Sequence, residues 1–206
     1  MKSLIISCIR FCITSKPFKA FKRLYQLACL PKFAEFGKGS IIETPFYSGN
    51  CEYIQIGGKC HIGPYCDFGV VVEKNIKSFG NIKIGESVWM TSRCQIYSKI
   101  SVIVEDEVMI ASNVFICDYT HGINRVDLAY QFQAYEPYGK ILIGKGSWIG
   151  QNVVVLPNVT IGKQCVIGAN SVVNCSIPDY SIAVGCPARV IKQWNNTSNS
   201  WEKVNL

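Results

Sequence analysis

Apolar side chains return at every sixth position through most of the chain. The series Ile56, Ile62, Phe68, then Ile84, Met90, Ile96, then Val104, Ile110, Ile116 resumes after a gap as Ile143, Ile149, Val155, Ile161, Ile167 and Val173. All fifteen members are apolar and eight of them precede a glycine. Two residues before each lies a small or β-branched partner: Ile54, Cys60, Cys66, Ile82, Val88, Cys94, Val102, Val108, Val114, Ile141, Ser147, Val153, Val159, Cys165 and Ser171. A helix would carry a six-residue period steadily round its axis, so the pattern calls instead for short strands joined by tight corners. If each hexapeptide forms one side of a triangular prism, three complete a coil. The larger residue then fills the interior and the small one sits near a corner. Glycine is expected where a corner needs positive φ or close backbone approach. Coils stacked ~4.8 Å apart make a rod on the order of 25 Å long from five turns.

The same count locates the interruptions. From Ile56 to Ile84 is 28 residues, which places about ten inserted residues near 70–80. From Ile84 to Val104 is 20, a two-residue bulge, and from Val104 to Ile143 is 39, leaving 21 outside the coils. That last insertion, DYTHGINRVDLAYQFQAYEPY at 118–138, is polar, aromatic and charged. A long loop extruded from a regular stack is a place where function concentrates.

With 206 residues, 49% of them hydrophobic, the chain can bury one substantial core. Its net charge of +7 is confined to residues 1–38, which hold eight Lys or Arg against Glu35. From Lys16 to Leu30, Phe18, Phe21, Tyr25 and Ala28 fall on one face and most cations elsewhere, as in a basic amphipathic helix. The predicted organisation is a helical segment at 1–35, a β domain at 36–194 carrying the 118–138 loop and a C-terminal capping tail, and a mobile polar tail at 195–206. Contact of residues 1–30 with a membrane surface is expected. Their apolar content favours that role, or capping of the core, over nucleic acid. The apolar stretch Leu4–Ile13 is interrupted by Arg10 and too short to span a bilayer. Without a signal peptide, eleven cysteines point to a reducing cytoplasm and not to disulfides. Cys60, Cys66, Cys94 and Cys165 read as small buried hydrophobes. No CxxC pair is present, and a metal site is not expected.

With its hexapeptides, and above all with ILIGKGSWIGQNVVVLPNVTIGKQCVIGANSVVNCSIPDYSIAVGCPARVIK at 141–192, the chain resembles the hexapeptide-repeat acyltransferases. Within them it looks closest to the galactoside and maltose O-acetyltransferases and to those of O-antigen and capsule. The resemblance implies an all-β, left-handed parallel β-helix and a homotrimer. It also implies an acetyl-CoA-dependent O-acetyltransferase acting on a sugar hydroxyl, in surface polysaccharide synthesis. In that family the catalytic histidine lies at the base of the extruded loop, where VFICDYTH ends in His121. Matching motifs carry donor binding to Gln151, Ala169, Arg189 and Lys192, in a groove between adjacent subunits. Asn174–Cys175 stands where better-known members have Thr–Lys, and Thr91 stands where they have an acceptor-binding Asn.

Imidazole titrates near neutrality and can take the proton of an attacking hydroxyl. Of the two histidines, His61 sits inside a regular hexapeptide and should point outward, which leaves His121 as the base. Asp118, three residues earlier, could orient its ring or bind the acceptor. Glu136 and Asp127 are weaker loop carboxylates. Other readings keep the prism: an N-acetyltransferase acting on an amino sugar or antibiotic, a non-catalytic scaffold, and a γ-type carbonic anhydrase. Two histidines argue against the last, which needs three for zinc.

Overall fold

The computed structural model describes residues 31–72 and 80–204. The predicted N-terminal helix and the inserted residues 73–79 lie outside the described residues. From Phe33 onward the chain forms one compact unit.

Three parallel sheets are the sides of the prism, and the chain visits them in turn. Sheet A stacks Glu35–Phe36, Ile54–Ile56, Ile82–Ile84, Val102–Val104, Ile141–Ile143 and Thr160–Ile161. Sheet C stacks Tyr47–Gly49, Asp67–Val70, Gln95–Ser98, Phe115–Cys117, Val154–Val155 and Val172–Val173. Sheet B runs from Ile41–Ile42 through His61–Ile62, Trp89–Met90, Met109–Ile110, Trp148–Ile149 and Val166–Ile167 to Ser181–Val184. Register follows the hexapeptide count, since Ile56 pairs with Ile84, Ile84 with Val104, Val104 with Ile143 and Ile143 with Ile161. Every residue of both predicted series is buried. Each large aliphatic among them contributes about 1.5–3 kcal/mol.

A further coil precedes the five expected ones. Phe36 pairs with Ile56, Ile42 with Ile62 and Ser48 with Phe68. Its last inward residue is a serine, so the apolar period is broken there.

The corners divide the two roles expected of glycine. Positive φ falls three residues after eleven of the fifteen inward apolar residues, and ten of these corners carry residue types other than glycine, including Asn113, Asn152, Asn158 and Asn170. Asparagine tolerates this left-handed backbone because its short amide bonds locally. The amides also bond from coil to coil, Asn113 to Asn152 (3.0 Å) and Asn152 to Asn170 (2.9 Å). The glycine directly after the apolar residue answers a different need: a Cβ on Gly144 would lie 2.5 Å from the carbonyl carbon of Gly162 in the next coil.

The expected mobile tail at 195–206 is also corrected. Arg189–Asn195 folds back antiparallel on Ser181–Val184, and Ser200–Lys203 pairs with it in turn. The hairpin gives the edge of sheet B a partner, which an end coil otherwise lacks.

Candidate active site

The chain leaves the stack at Asp118 and re-enters at Ile141, so that Val102 and Ile141 still pair across the gap. Asp118 is fully buried. Its carboxylate accepts the N–H groups of Lys99 (2.7 Å), Ile100 (3.0 Å) and Ser101 (2.7 Å) and the hydroxyl of Ser98 (2.8 Å). A buried carboxylate is tolerated where charge-assisted bonds replace its hydration. The turn it holds contains the two residues that the sequence count placed as a bulge. Bulge and acid are therefore one device at the root of the loop. None of these bonds reaches His121, so orientation of its ring, one of the two roles open to Asp118, is not made through them.

Beyond Asp118, Tyr119–His121 pairs antiparallel with Tyr135–Pro137, which puts His121 opposite Tyr135. The two rings lie 4.6 Å apart, and Tyr119 meets the same tyrosine edge-on at 5.0 Å. Lys99 Nζ donates to the Tyr135 carbonyl at 3.0 Å, tying the ribbon to the Asp118 turn. The remaining loop carboxylates knit the loop itself. Glu136 accepts from Asn124 and from Tyr138 (2.9 Å), and Asp127 pairs with Arg125 (2.6 Å).

His121 opens onto a groove of ≈ 370 Å³ walled by Tyr97, Phe115, Cys117, Tyr119, Tyr135 and Leu156. Neither of its ring nitrogens has a hydrogen-bond partner among the described residues. Tyr97 donates to Asp67 at 2.8 Å, and burial together with that carboxylate pushes its phenol up to about 12. Burial likewise raises Tyr119, and it lifts the Cys117 thiol to about 11. Cys117 also donates to the Tyr119 carbonyl at 3.1 Å. A thiol held protonated is a poor nucleophile. The groove thus presents protonated phenols, an inert thiol and one imidazole, a set suited to direct transfer between bound partners and not to an acyl-cysteine.

The residues matched to donor binding fall on another edge. Gln151 and Ala169 follow successive strands of sheet B at its corner with sheet C, where Asn170 N–H bonds the Gln151 carbonyl at 2.8 Å. Arg189 reaches the same corner through its pairing with Val184, and its guanidinium contacts Asn174 at 3.4 Å. Lys192 lies on the outer face of sheet B, paired with Ile182. Thr91 belongs to the Gln151 edge two coils earlier, bonded to Ser112 at 2.9 Å. One copy therefore carries His121 at one margin of sheet C and the Gln151 edge at the other. His61 points outward as expected, stacked on Trp89 at 4.2 Å with Nε2 3.1 Å from Glu43.

Sequence reasoning missed Tyr135, Tyr97 and Asp67. Their roles arise from contacts 14 to 30 residues apart in the chain, for which no local signal exists.

Among the described residues no group of three or more His, Cys, Asp or Glu could hold a metal ion, and no helix is long and apolar enough to cross a membrane.

A prism of parallel hexapeptide coils with one extruded, histidine-bearing loop defines a class, and comparison with known proteins agrees. The model of the bacterial transferase hexapeptide (six repeats) matches residues 140–175. WbbJ of Escherichia coli (strain K12), assigned to lipopolysaccharide biosynthesis as an O-acetyl transferase, is 32% identical over 176 residues, 79% of this chain and 89% of that one. Rv3034c of Mycobacterium tuberculosis, assigned as an acetyltransferase, is 36% identical over 72% of this chain and 46% of its own length. Among solved structures, a maltose O-acetyltransferase from Clostridium difficile 630 superposes with TM-score 0.58 at 28% identity, covering 89% of this chain and 81% of that one. The N-acyltransferase AntD of Bacillus cereus, solved with dTDP and coenzyme A, gives TM-score 0.67 at 24% identity over 81% and 87%, a likeness of fold. The protein belongs to the hexapeptide-repeat acyltransferases, in the branch that includes the maltose and O-antigen O-acetyltransferases.

Proposed function

We propose that the protein is an O-acetyltransferase that moves acetyl from acetyl-CoA to a hydroxyl of a sugar, in the synthesis of a surface polysaccharide such as O-antigen or capsule. The observation that carries this reading is the placement of His121 at the root of the extruded loop. Both its ring nitrogens are unclaimed there, and it faces an aromatic groove that suits a pyranose. Similarity to WbbJ over most of both chains supports a hydroxyl acceptor.

In the reaction, the imidazole removes the proton of the sugar hydroxyl as that oxygen attacks the thioester carbonyl. The tetrahedral intermediate collapses, the C–S bond breaks, and the imidazolium returns the proton to the leaving thiolate. General-base help of this kind is worth ~10²–10⁴ in rate, or about 3–5 kcal/mol of barrier. Asp118 acts as a positioning residue that fixes the root of the loop. Gln151, Ala169, Arg189 and Lys192 hold the donor. Exposed corner residues let its pantetheine arm lie along the backbone, and the two cations meet its phosphates.

The active unit in this reading is a homotrimer. One chain bears two exposed apolar surfaces: the outer face of sheet B, with Ile41, Trp89, Met109 and Trp148, and the loop, where Ile123 is 61%, Phe132 70% and Val126 97% exposed. Two unlike patches on one chain fit a head-to-tail interface that closes into a ring. Such closure sets the loop of one copy against the donor edge of the next and joins what a single copy keeps apart. The excess of Lys and Arg in residues 1–38 fits work in the cytoplasm at the inner face of the membrane, against anionic lipid.

The test is incubation with acetyl-CoA and a panel of sugars, glycolipids and amines, following free CoA and identifying the product by NMR. An ester on a sugar hydroxyl supports the reading. An amide as the sole product overturns it in favour of N-acetylation, and no transfer to any acceptor favours a scaffold.

A further inference from the structure

All four tryptophans of the chain belong to sheet B. Two of them, Trp194 and Trp201, stand opposite each other on the C-terminal hairpin with rings 5.4 Å apart at 74°. With Tyr180 and Gln164 they line a cleft of ≈ 300 Å³ that the proposed reaction does not use. The platform is built in advance. Trp194 N–H bonds the Tyr180 carbonyl at 2.9 Å. The hairpin tip is locked by Asn195 and Ser198 donating to Glu202 at 2.9 and 2.6 Å. Little ordering remains for a ligand to impose.

The Tyr180 hydroxyl is engaged with Lys163, while the other polar edges of the cleft are unspent. Neither indole N–H and no atom of the Gln164 amide has a hydrogen-bond partner among the described residues. A half-exposed Trp pair offers an apolar platform and a donor at its rim, where one end of a ligand is apolar and the other wet. None of the four lining side chains is charged. Lys163, which lies over the Tyr180 ring at 5.3 Å, is balanced by Asp179 at 3.6 Å. Apolar faces, neutral lining and free amide and indole groups match one chemistry: a neutral sugar ring, apolar across its C–H face and fringed with hydroxyls.

The cleft is not the donor edge. Gln164 opens and Ala169 closes the same crossing of sheet B, so the cleft and the Gln151–Ala169 corner sit at opposite margins, on the order of 16 Å apart at ~3.3 Å per residue. Of the residues matched to the donor only Lys192, two places before Trp194 on the same strand, lies beside the cleft.

We propose that the cleft of Gln164, Tyr180, Trp194 and Trp201 is a second carbohydrate site, which holds a neutral pyranose of the acceptor glycan away from the residue being acetylated. The assignment of this ligand rests on the reading of the acceptor as a glycan. A remote hold of this kind raises the effective concentration of a long acceptor at the reacting groove and does nothing for a monosaccharide.

The experiment uses the full chain saturated with CoA. It measures binding of a panel of neutral oligosaccharides several units long, built from glucose, galactose, mannose, rhamnose and N-acetylglucosamine, by saturation-transfer NMR and tryptophan fluorescence. At least one is expected to bind, Trp201→Ala to weaken it by ~10-fold or more, and CoA affinity and assembly size to stay unchanged. If Trp201→Ala fails to fold, Trp201→Phe and Gln164→Ala supply the comparison, each with weaker binding expected. Four results overturn the proposal: no oligosaccharide binds; binding ignores the substitutions; Trp201→Ala lowers CoA affinity, which assigns the cleft to the donor; or it changes the assembly, which assigns the cleft to a second copy. His121→Ala should leave oligosaccharide binding intact, so failure of the catalytic reading and failure of this site are told apart.

Discussion

Residues 141–173 and residues 118–138 are neighbours in sequence and opposites in construction. In the coils each inward position is filled and buried, the strands pair in register from coil to coil, and the corners repeat one backbone conformation. In the loop the large side chains face outward, and order comes from a short ribbon, a few side-chain bonds and the buried carboxylate at its root. The stack is specified many times over by a repeated pattern. The loop hangs on a small number of contacts that occur once. The chemistry sits in the second kind of structure, so damage to either region should look different.

The largest effect is expected at the root. Asp118→Ala strands three backbone N–H groups and the Ser98 hydroxyl without their acceptor, and should cost about 3–5 kcal/mol in urea unfolding. Activity per folded molecule should fall as well, because the ribbon bearing His121 loses its anchor. A loss below about 1 kcal/mol would remove the distinction drawn here.

A break in the stack should cost stability alone. Ile149→Ala opens a cavity in a buried coil and should destabilise by about 2–5 kcal/mol. Turnover of the folded fraction, measured well below the unfolding midpoint, should stay within about twofold of the parent if the loop rests on its own root.

The smallest effect is one of pH. Burial raises the thiols of Cys60, Cys117 and Cys165 above their ordinary 9.0, with Cys117 at about 11. These thiols stay neutral in the folded protein while the unfolded chain ionises. Their contribution is full below about pH 9 and is lost as pH rises toward the folded value, at no more than about 1.4 kcal/mol per pH unit for each. Urea midpoints should therefore be flat below about pH 9 and fall above it, less steeply in Cys117→Ala.

Much of the stack was legible because its signal is repeated. Fifteen apolar positions and their fifteen small partners located every strand crossing between Ile54 and Val173. The first coil escaped the count because Ser48, paired with Phe68, occupies its third inward place and breaks the apolar period. The first strand of the C-terminal hairpin falls in the expected capping tail, whereas its second strand, Ser200–Lys203, escaped because its pairing partner is distant in the chain, a feature invisible in a local window. Of the two demands expected of glycine, it meets close approach directly after the apolar residue, whereas positive φ falls mostly to other residue types. In the site, the coil count led to His121, whereas Asp118 was read as orienting that ring or binding the acceptor, and its donors lie 17 to 20 residues earlier in the chain.

The central claim is that His121 takes the acceptor's proton. Its most direct test is the rate of acetyl transfer by His121→Ala, measured beside the parent with acceptor binding and assembly size recorded on the same sample. A fall of ~10² or more with binding and assembly intact is predicted. Transfer at the parental rate would contradict the mechanism outright.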